Sequence, residues 1–294
     1  MASGVFSLIK QAGQEWVADK APRLSAATAY YTILSLAPLL VISVSIAGMI
    51  YSKSAAQKGI VDQFEHLVGH SGATAIQQML EHASAPSSGA TAIIVGVVTL
   101  LVGASGVFGE LQDAFNTVWN APPKQNSGFW AMVKSRFLSF AMVLCVGFLL
   151  LTSLALSTAL TGMSGYFSKS VPGLTLAIRA GELLISFGII TLLFALMFKY
   201  LPDCEVPWRD AWIGAAVTAV LFTIGKYLIG LYLGKAAVAT PFGAAGSLVA
   251  LVVWVYYSAM ILFFGGELTQ SLTRQRVPNY GKSRRDGPAP LGTF

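Results

Sequence analysis

Six long stretches of this chain are nearly free of charged residues, and they restrict its fold more than any motif does. A helix needs about 20 consecutive apolar residues to cross a bilayer, and each stretch reaches that length. A soluble helical protein would carry charges along the outer side of every helix. In this chain as a whole, 55% of the residues are hydrophobic and only 11% are charged. We therefore predict an all-α polytopic membrane protein, a bundle of six transmembrane helices with short amphipathic helices at both faces.

The predicted transmembrane domain covers residues 26–272. Its spans lie at 26–50, 88–109, 137–160, 179–199, 211–234 and 246–267. Residues 1–25 form a predicted interfacial helix, because apolar residues such as Leu8, Ala12 and Trp16 recur there at helical spacing instead of forming the apolar core of a signal peptide. Residues 273–294 are predicted to be a flexible basic tail that contacts anionic lipid headgroups.

Lysine and arginine residues are concentrated in alternate connections. Most of them precede span one, follow spans two and four, or lie in the tail, whereas the other connections hold only Lys53, Lys58, Lys169 and Lys235. The positive-inside rule then places both termini of this multi-pass protein in the cytoplasm. The net charge of +6 is spread over these segments, so we predict membrane lipids as partners and no nucleic acid.

The external connection at 51–87 contains two sets of apolar residues at helical spacing, interrupted by Gly69 and Gly72. We predict two short amphipathic helices that pack over the outer mouth of the bundle. His66 and His70 are four residues apart, a spacing that can ligate a metal. Three histidines in a polar loop are more simply explained by exposure to solvent, so no metal site is predicted.

Charged residues inside spans are candidates for function, because each costs about 2.5–3.5 kcal/mol at a helix centre on insertion scales. Lys226 in span five shares a helix face with small and polar residues, including Thr223. It either faces a cavity as the cation for an anionic headgroup or substrate, or extends its long side chain to the outer interface. In span four, Arg179 and Glu182 form a local ion pair, or Glu182 meets Lys226.

Hydroxyl groups mark spans one and six. Tyr31 and Ser35 share a face of span one with Pro38, which must bend the helix because it cannot donate to the carbonyl of Leu34. Ser258 lies on a polar face of span six. Such faces suit a solvated path, and equally suit packing through small residues. The candidate substrate path comprises Lys226, Glu182, Arg179, Thr223, Tyr31, Ser35, Pro38 and Ser258.

Two further carboxylates, Glu110 and Glu267, end spans two and six on the cytoplasmic side. We interpret both as boundary residues, at a depth where a carboxylate costs little. The sequence contains no nucleotide-binding P-loop, no GxSxG nucleophile elbow and no CxxC pair. We therefore predict no catalytic residues and no cofactor.

Four segments resemble the YihY/BrkB family of six-span bacterial inner-membrane proteins. They are RLSAATAYYTILSLAPLL at 23–40, FGELQDAFNTVWNAPP at 108–123, LPDCEVPWRDAWIGAAVTAVLFTIGKYLIGLYL at 201–233 and PFGAAGSLVALVVWVYYSAMILFFGGELTQ at 241–270. The family's motif positions correspond to Ser35, Pro38, Asn116, Trp119, Pro202, Trp208, Gly214, Lys226, Tyr232, Gly243, Gly246, Trp254 and Glu267. The resemblance implies the six-span fold and a location in a bacterial cytoplasmic (inner) membrane, but no established catalytic residue.

The resemblance also brings two earlier labels, ribonuclease BN and virulence factor. RNA hydrolysis needs clustered metal-binding carboxylates or an acid–base pair that RNA can reach, and the cytoplasmic carboxylates here are scattered, so we predict no enzyme. The leading hypothesis is a transporter or translocator of a lipid, an anionic amphiphile or a small solute. The alternative is a non-transporting envelope or virulence-associated scaffold. Helix surfaces rich in Gly and Ala are compatible with a homo-oligomer.

Overall fold

A computed structural model of the chain describes residues 2–50, 52–83, 106–121, 174–235 and 246–276. All regular secondary structure in these ranges is helical, which confirms the predicted all-α class for the described part of the chain. The helices are α1 (Ala2–Ala18), α2 (Ala21–Ile50), α3 (Lys53–Ala83), α4 (106–118), α5 (Leu174–Tyr200), α6 (Trp208–Lys235) and α7 (Gly246–Arg276). The predicted span at 137–160 and most of that at 88–109 lie outside the described residues.

Two of the described helices are long and apolar enough to cross a membrane: Trp208–Ile229 of α6 and Gly246–Arg276 of α7. A shorter apolar helix covers Leu184–Tyr200. Only 33% of the most apolar stretch of α6 and of α7 is buried inside the protein. A core helix of a soluble protein would be mostly buried, whereas apolar residues that face outward are expected where lipid is the solvent. The number of spans stays a prediction.

The connection after α2 differs from the prediction. We expected two short helices separated at Gly69 and Gly72, but α3 is one continuous helix through both glycines. Its second half buries Ile76 and Leu80 against α2 and the first half of α7. A glycine inside a helix costs about 1 kcal/mol relative to alanine. Burial of two large aliphatic side chains contributes about 3–6 kcal/mol, which exceeds the cost of keeping Gly69 and Gly72 in the helix.

A second core joins α4, α5, α6 and α7. Its centre is Phe115, whose ring lies 5.8 Å from that of Phe198 and 5.7 Å from that of Phe263, measured between centroids. Trp119 and Val118 complete this group, and all five side chains are almost fully buried. Aromatic rings at these separations add about 0.5–1.5 kcal/mol per pair to the burial of their surface. This core holds one end of α6 and α7 together.

Reciprocal glycine–threonine contacts bring α6 and α7 very close. A methyl group on Gly214 would overlap the side chain of Thr269, and one on Gly265 would overlap that of Thr218. Each threonine hydroxyl donates to the carbonyl of the glycine four residues before it, at 2.7 Å in both helices. Small residues at such crossings are typical of helix pairs in membranes, because they let the two backbones approach.

Candidate functional site

The most unusual group of side chains lies where α1 packs against the last third of α7. The chain reverses between α1 and α2 at Lys20, which adopts a left-handed conformation with φ of 54°. The amide of Lys20 donates to the carbonyl of Val17 at 3.1 Å, and its carbonyl accepts from Arg23 at 2.8 Å. This tight reversal carries the preceding residue, Asp19, to the surface of α7.

Seven consecutive residues of α7, from Gly265 to Ser271, are buried. A helix can bury all sides only when neighbours surround it. Here α1 contributes Leu8 and Ala12 on one side, and α6 contributes its Gly–Thr face on another. On a third side, Phe115 and Val118 of α4 approach Gly266. The polar residues in this stretch are thus enclosed by protein.

Glu267 lies at the centre of this enclosed stretch and has no exposed surface. Within the described residues, no N–H or hydroxyl group donates to either of its carboxyl oxygens. Its hydrogen-bonding neighbour is the carboxyl group of Asp19. Two carboxyl groups can hydrogen-bond each other only when one of them carries a proton. One turn further, the side-chain oxygen of Gln270 is also buried without a donor among the described residues.

Glu15 lies at the edge of this group and is paired. Its Oε1 accepts from Arg274 Nη1 at 2.8 Å, and its Oε2 accepts weakly from the Ser271 hydroxyl at 3.4 Å. Both charged side chains keep some solvent contact. We name Glu15, Asp19 and Glu267 the acidic cluster. It contains three carboxyl groups and one adjacent cation, so one carboxylate is neutralised by Arg274 and the inner pair is not.

Burial raises the pKa of Asp19 above its usual range. The hydrogen bond with Glu267 lowers that pKa, the charge of Glu15 raises it, and the charge of Arg274 lowers it, in decreasing order of size. The net direction is upward. Loss of hydration therefore exceeds the help that Asp19 receives from its partners.

A separate ion pair fixes the end of α7 to the start of α6. Arg276 Nη1 donates to Asp210 Oδ1 at 2.5 Å, and the Thr273 hydroxyl donates to Asp210 Oδ2 at 3.1 Å. Asp210 is in the first turn of α6, where a negative charge also interacts favourably with the helix dipole. Unlike Glu267, this buried carboxylate has two donors, so it needs no proton.

The connection between α5 and α6 is held by Asn116 of α4. Its side-chain oxygen accepts from the amide of Asp203 at 2.8 Å, and its side-chain nitrogen donates to Asp203 Oδ2 at 2.9 Å. Gln112 donates to Asp203 Oδ1 at 3.0 Å. Burial, followed by the charge of Asp203, raises the pKa of Asp113 on the same helix. This network explains in structural terms why an asparagine is useful at position 116.

Lys226 is half-buried, and its Nζ lies 5.7 Å from the centre of the Tyr227 ring. The face of α6 that contains Lys226 is buried at some positions and exposed at others. Ala219 is fully buried, whereas Trp212 is 43% exposed. Large apolar side chains close to Lys226 in the sequence are exposed, including Ile224 and Leu228, but residues two apart lie on opposite sides of a helix. Lys226 therefore meets the exposed surface of α6 at the ring of Tyr227, which is 62% exposed.

The predicted path hydroxyls bond within their own helices. Thr223 donates to the carbonyl of Ala219 at 2.7 Å, Ser35 to that of Thr32 at 2.9 Å, and Ser258 to that of Trp254 at 2.9 Å. Tyr31 is partly exposed and its ring lies against Gly106. No hydrogen bond joins any two path residues in the ranges whose side chains are described. The side chains of Pro38, Arg179 and Glu182 lie outside those ranges.

The interpretation of Glu267 as a boundary residue was wrong. Its position at the end of an apolar stretch suggested contact with the interface, but α1 folds back over it and removes all solvent. Asp19 and Glu15 belong to the segment predicted to be an interfacial helix, and that prediction did not place them near Glu267. The available signal was the sequence GGELTQS at 265–271, in which small residues flank a carboxylate and permit close approach on all sides.

The fold and these surfaces define a class of protein. Apolar helices that expose their apolar side chains, while a carboxyl group is enclosed among them, form an integral membrane protein of the helical-bundle type. The sequence profile of the family described as "Virulence factor BrkB" matches residues 12–290. The chain belongs to this family, and the predicted resemblance is confirmed.

Related proteins carry the same designation of membrane protein. The chain is 29% identical over 281 residues to a UPF0761 membrane protein of Pseudomonas paraeruginosa, a match that covers 94% of this chain and 64% of the relative. It is 28% identical over 274 residues to a UPF0761 membrane protein of Ralstonia nicotianae, covering 90% of this chain and 57% of the relative. The chain thus spans less than two thirds of these relatives. No solved structure matches it.

Proposed function

We propose that the protein moves a lipid, an anionic amphiphile or a small solute across the bacterial cytoplasmic membrane. The observation that carries this proposal is the enclosed carboxyl group of Glu267 in an apolar helix. Ionisable groups inside membrane bundles are expensive, and they commonly mark the paths of ions or substrates. A purely structural position could be filled by an apolar residue of similar size at no loss of stability.

Lys226 supports an anionic amphiphile over a small solute. It is a half-buried cation next to the exposed ring of Tyr227, while the exposed side chains of Val220, Ile224 and Leu228 lie on the other side of the helix. An anionic headgroup could pair with the ammonium group while its acyl chains pass Tyr227 and lie along apolar surface in the bilayer. A small hydrophilic solute would gain nothing from such a surface. Lys226 and the acidic cluster would then serve different steps, substrate contact and ion binding.

The orientation and the six spans belong to the same proposal. With both termini in the cytoplasm, the acidic cluster would face the cytoplasmic side and Lys226 the outer half of the bilayer. Membrane-impermeant thiol labelling of single cysteines at Phe6 and Ala55, two exposed positions in the predicted cytoplasmic and external segments, tests this arrangement in intact cells. We expect Ala55→Cys to be labelled from outside and Phe6→Cys only after the membrane is opened.

The decisive experiment is transbilayer movement of a labelled anionic phospholipid in liposomes that contain the purified protein. Lys226→Ala and Glu267→Gln should each reduce movement at least tenfold. Lys58→Ala is the matched control, because Lys58 is exposed on α3 and should not matter. Movement equal to that of empty liposomes, with the wild-type protein folded and inserted, would reject lipid translocation. Movement unchanged in both variants would remove these two residues from the mechanism.

The alternative is an envelope scaffold that binds a partner through α3 or the basic tail. Deletion of residues 277–294 separates the two functions, because a translocating core should survive this loss and a tail-mediated scaffold should not. The deletion must stop there, since Arg274 and Arg276 are bonded to Glu15 and Asp210. Contact of the tail with anionic lipids and self-association of the chain remain parts of the proposal. No enzymatic activity is proposed.

A further inference from the structure

The acidic cluster brings a partly buried carboxyl group, Asp19, up to a fully buried one, Glu267. Neither oxygen of Glu267 has an N–H or hydroxyl donor within the described residues. Asp19, carried there by the reversal at Lys20, is its hydrogen-bonding neighbour. If both groups were ionised, the charge of Glu267 would lie in a site without water beside a second negative charge, which is unfavourable.

We infer that Asp19 and Glu267 form a proton-binding site, and that the bound proton holds α1 against α7. The proton lies between the two carboxyl oxygens, as an O–H of one group donated to an oxygen of the other. When it leaves, the two carboxylates repel across the α1–α7 contact, and the turn that carries Asp19 is pushed away. This inference is independent of the proposed transport, because it concerns a proton and needs no substrate.

The other charges near the site set the direction of the effect. From α1, Glu15 adds a third negative charge, and from α7 itself Arg274 adds one positive charge. The parts of α4 and α6 that contact residues 265–269 do so through Phe115, Val118, Gly214 and Thr218, which are uncharged. Arg274 is already bonded to Glu15. It cannot also neutralise the inner pair while that bond persists.

Contacts of α1 explain why the proton would matter for its position. Besides the acidic cluster, α1 packs Leu8 and Ala12 against Leu268, with Phe264 and Leu272 at the edge of this contact. The Trp16 side chain packs against the second core, and its Nε1 donates to the carbonyl of Met260 at 3.3 Å. Repulsion between the carboxylates of Asp19 and Glu267 would oppose these contacts, so loss of the proton weakens the docking of α1.

The direction in which pH changes the docking of α1 follows from the linkage between proton binding and docking. The docked form binds the proton more tightly than the undocked form, consistent with the upward shift of the pKa of Asp19. Docking is therefore favoured at low pH and is weakened as the pH rises through the raised pKa. The opposite trend would be expected if α1 were held by an ion pair of Asp19 with a cation.

Infrared difference spectroscopy on the full-length protein in liposomes tests the proton directly, because a protonated carboxyl group has its own C=O stretching band. The wild type should show a band equivalent to one carboxyl group at neutral pH that disappears at strongly alkaline pH. Glu267→Gln and Asp19→Asn should each lack it, the second variant being a safeguard if the first does not fold. The control Asp62→Asn, at an exposed position on α3, should keep it.

The docking is measured by the distance between spin labels at the exposed positions Phe6 and Val252, with Cys145 and Cys204 replaced by serine. The wild type should give a narrow distance distribution at neutral pH and a broad one at alkaline pH, whereas Glu267→Gln should stay narrow at both. A neutral-pH band that is absent in the wild type, or equal in Glu267→Gln, overturns the inference. So does a distribution that ignores pH, or one that responds to sodium concentration instead.

Discussion

Charged side chains are accommodated differently at the two ends of the α6–α7 pair. Near α1, Asp210 and Glu267 are almost completely buried and face other parts of the protein. Toward the other end of α6, Lys226 is half-buried beside Tyr227 and Leu228, which are 62% and 57% exposed. A carboxylate has a short side chain and must find its partner locally, whereas the long side chain of lysine can reach a polar environment by itself.

A second contrast lies within the α1 end. Asp210 has two donors, Arg276 and Thr273, and can remain ionised. Glu267 has a second carboxyl group, Asp19, in the corresponding place. Two buried acids on neighbouring helices thus have different chemical roles. The first is an anchor that defines the fold, and the second is poised to gain and lose a proton.

The comparison of the two ends depends on the close approach of α6 and α7. We therefore expect the largest loss of stability when that approach is disrupted. The double variant Gly214→Ala/Gly265→Ala adds two methyl groups where threonine side chains already lie. Each overpacked site costs about 1–3 kcal/mol, so the pair should lower the free energy of unfolding by about 2–6 kcal/mol. Denaturant unfolding in detergent micelles measures it.

Gly188→Ala is the matched control for this experiment. No atom lies within 4 Å of the added methyl group, and alanine is a better helix former than glycine by about 1 kcal/mol. The control should therefore be unchanged or slightly more stable. Equal destabilisation by control and double variant would mean that the α6–α7 contact is looser than described.

The next largest loss of stability is expected when the ion pair of Arg276 with Asp210 is removed. Arg276→Ala leaves the buried carboxylate of Asp210 with only the Thr273 hydroxyl, and loss of a hydrogen bond to a charged group costs about 1.5–3 kcal/mol. Thermal unfolding compared with Arg209→Ala, which removes an exposed arginine one residue before Asp210, isolates this contribution. If both variants unfold alike, Asp210 does not depend on Arg276.

A smaller and opposite effect is expected at the α1–α2 reversal. Lys20 has a positive φ of 54°, a conformation that costs a residue with a Cβ about 1 kcal/mol relative to glycine. Lys20→Gly should therefore stabilise the protein by up to this amount, in the same unfolding assay. Lys10→Gly, inside α1, should destabilise it by a similar amount and serves as the comparison. Destabilisation by Lys20→Gly would show that its side chain contributes more than its backbone strain removes.

The smallest effect on stability is expected at the opposite end of the pair. Lys226→Ala removes a half-buried side chain whose described contact is the adjacent Tyr227 ring, so unfolding should change by less than about 0.5 kcal/mol. The proposed function makes the same variant strongly deficient in translocation. A large loss of stability would instead identify Lys226 as a structural residue, and the contrast between the two ends would disappear.

Several parts of the fold could be predicted from particular residues. Two apolar stretches correspond to the two helices that are long enough to cross a membrane. They are Trp212 to Ile229, in which Lys226 is the one charged residue, and Leu248 to Phe263, which has none. The amphipathic spacing of Leu8, Ala12 and Trp16 predicted a helix, and α1 is one. The candidate substrate path is not marked by hydrogen bonds between its described residues. Its serine and threonine hydroxyls donate to carbonyls three or four residues earlier in their own helices, because such a carbonyl is within reach in any helix.

Composition and periodicity by themselves determined that this chain is helical and that it belongs in a membrane, because those properties depend on how local residues interact with lipid and with their own backbone. The family resemblance came from four matching sequence segments. The acidic cluster could only be decided by the tertiary structure. Asp19 and Glu267 are far apart in the sequence, and each is unremarkable in its own segment. Their chemistry arises from the contact of a partly buried carboxyl group with a fully buried one, which depends on the reversal at Lys20 and on the glycines that let neighbouring helices close around α7.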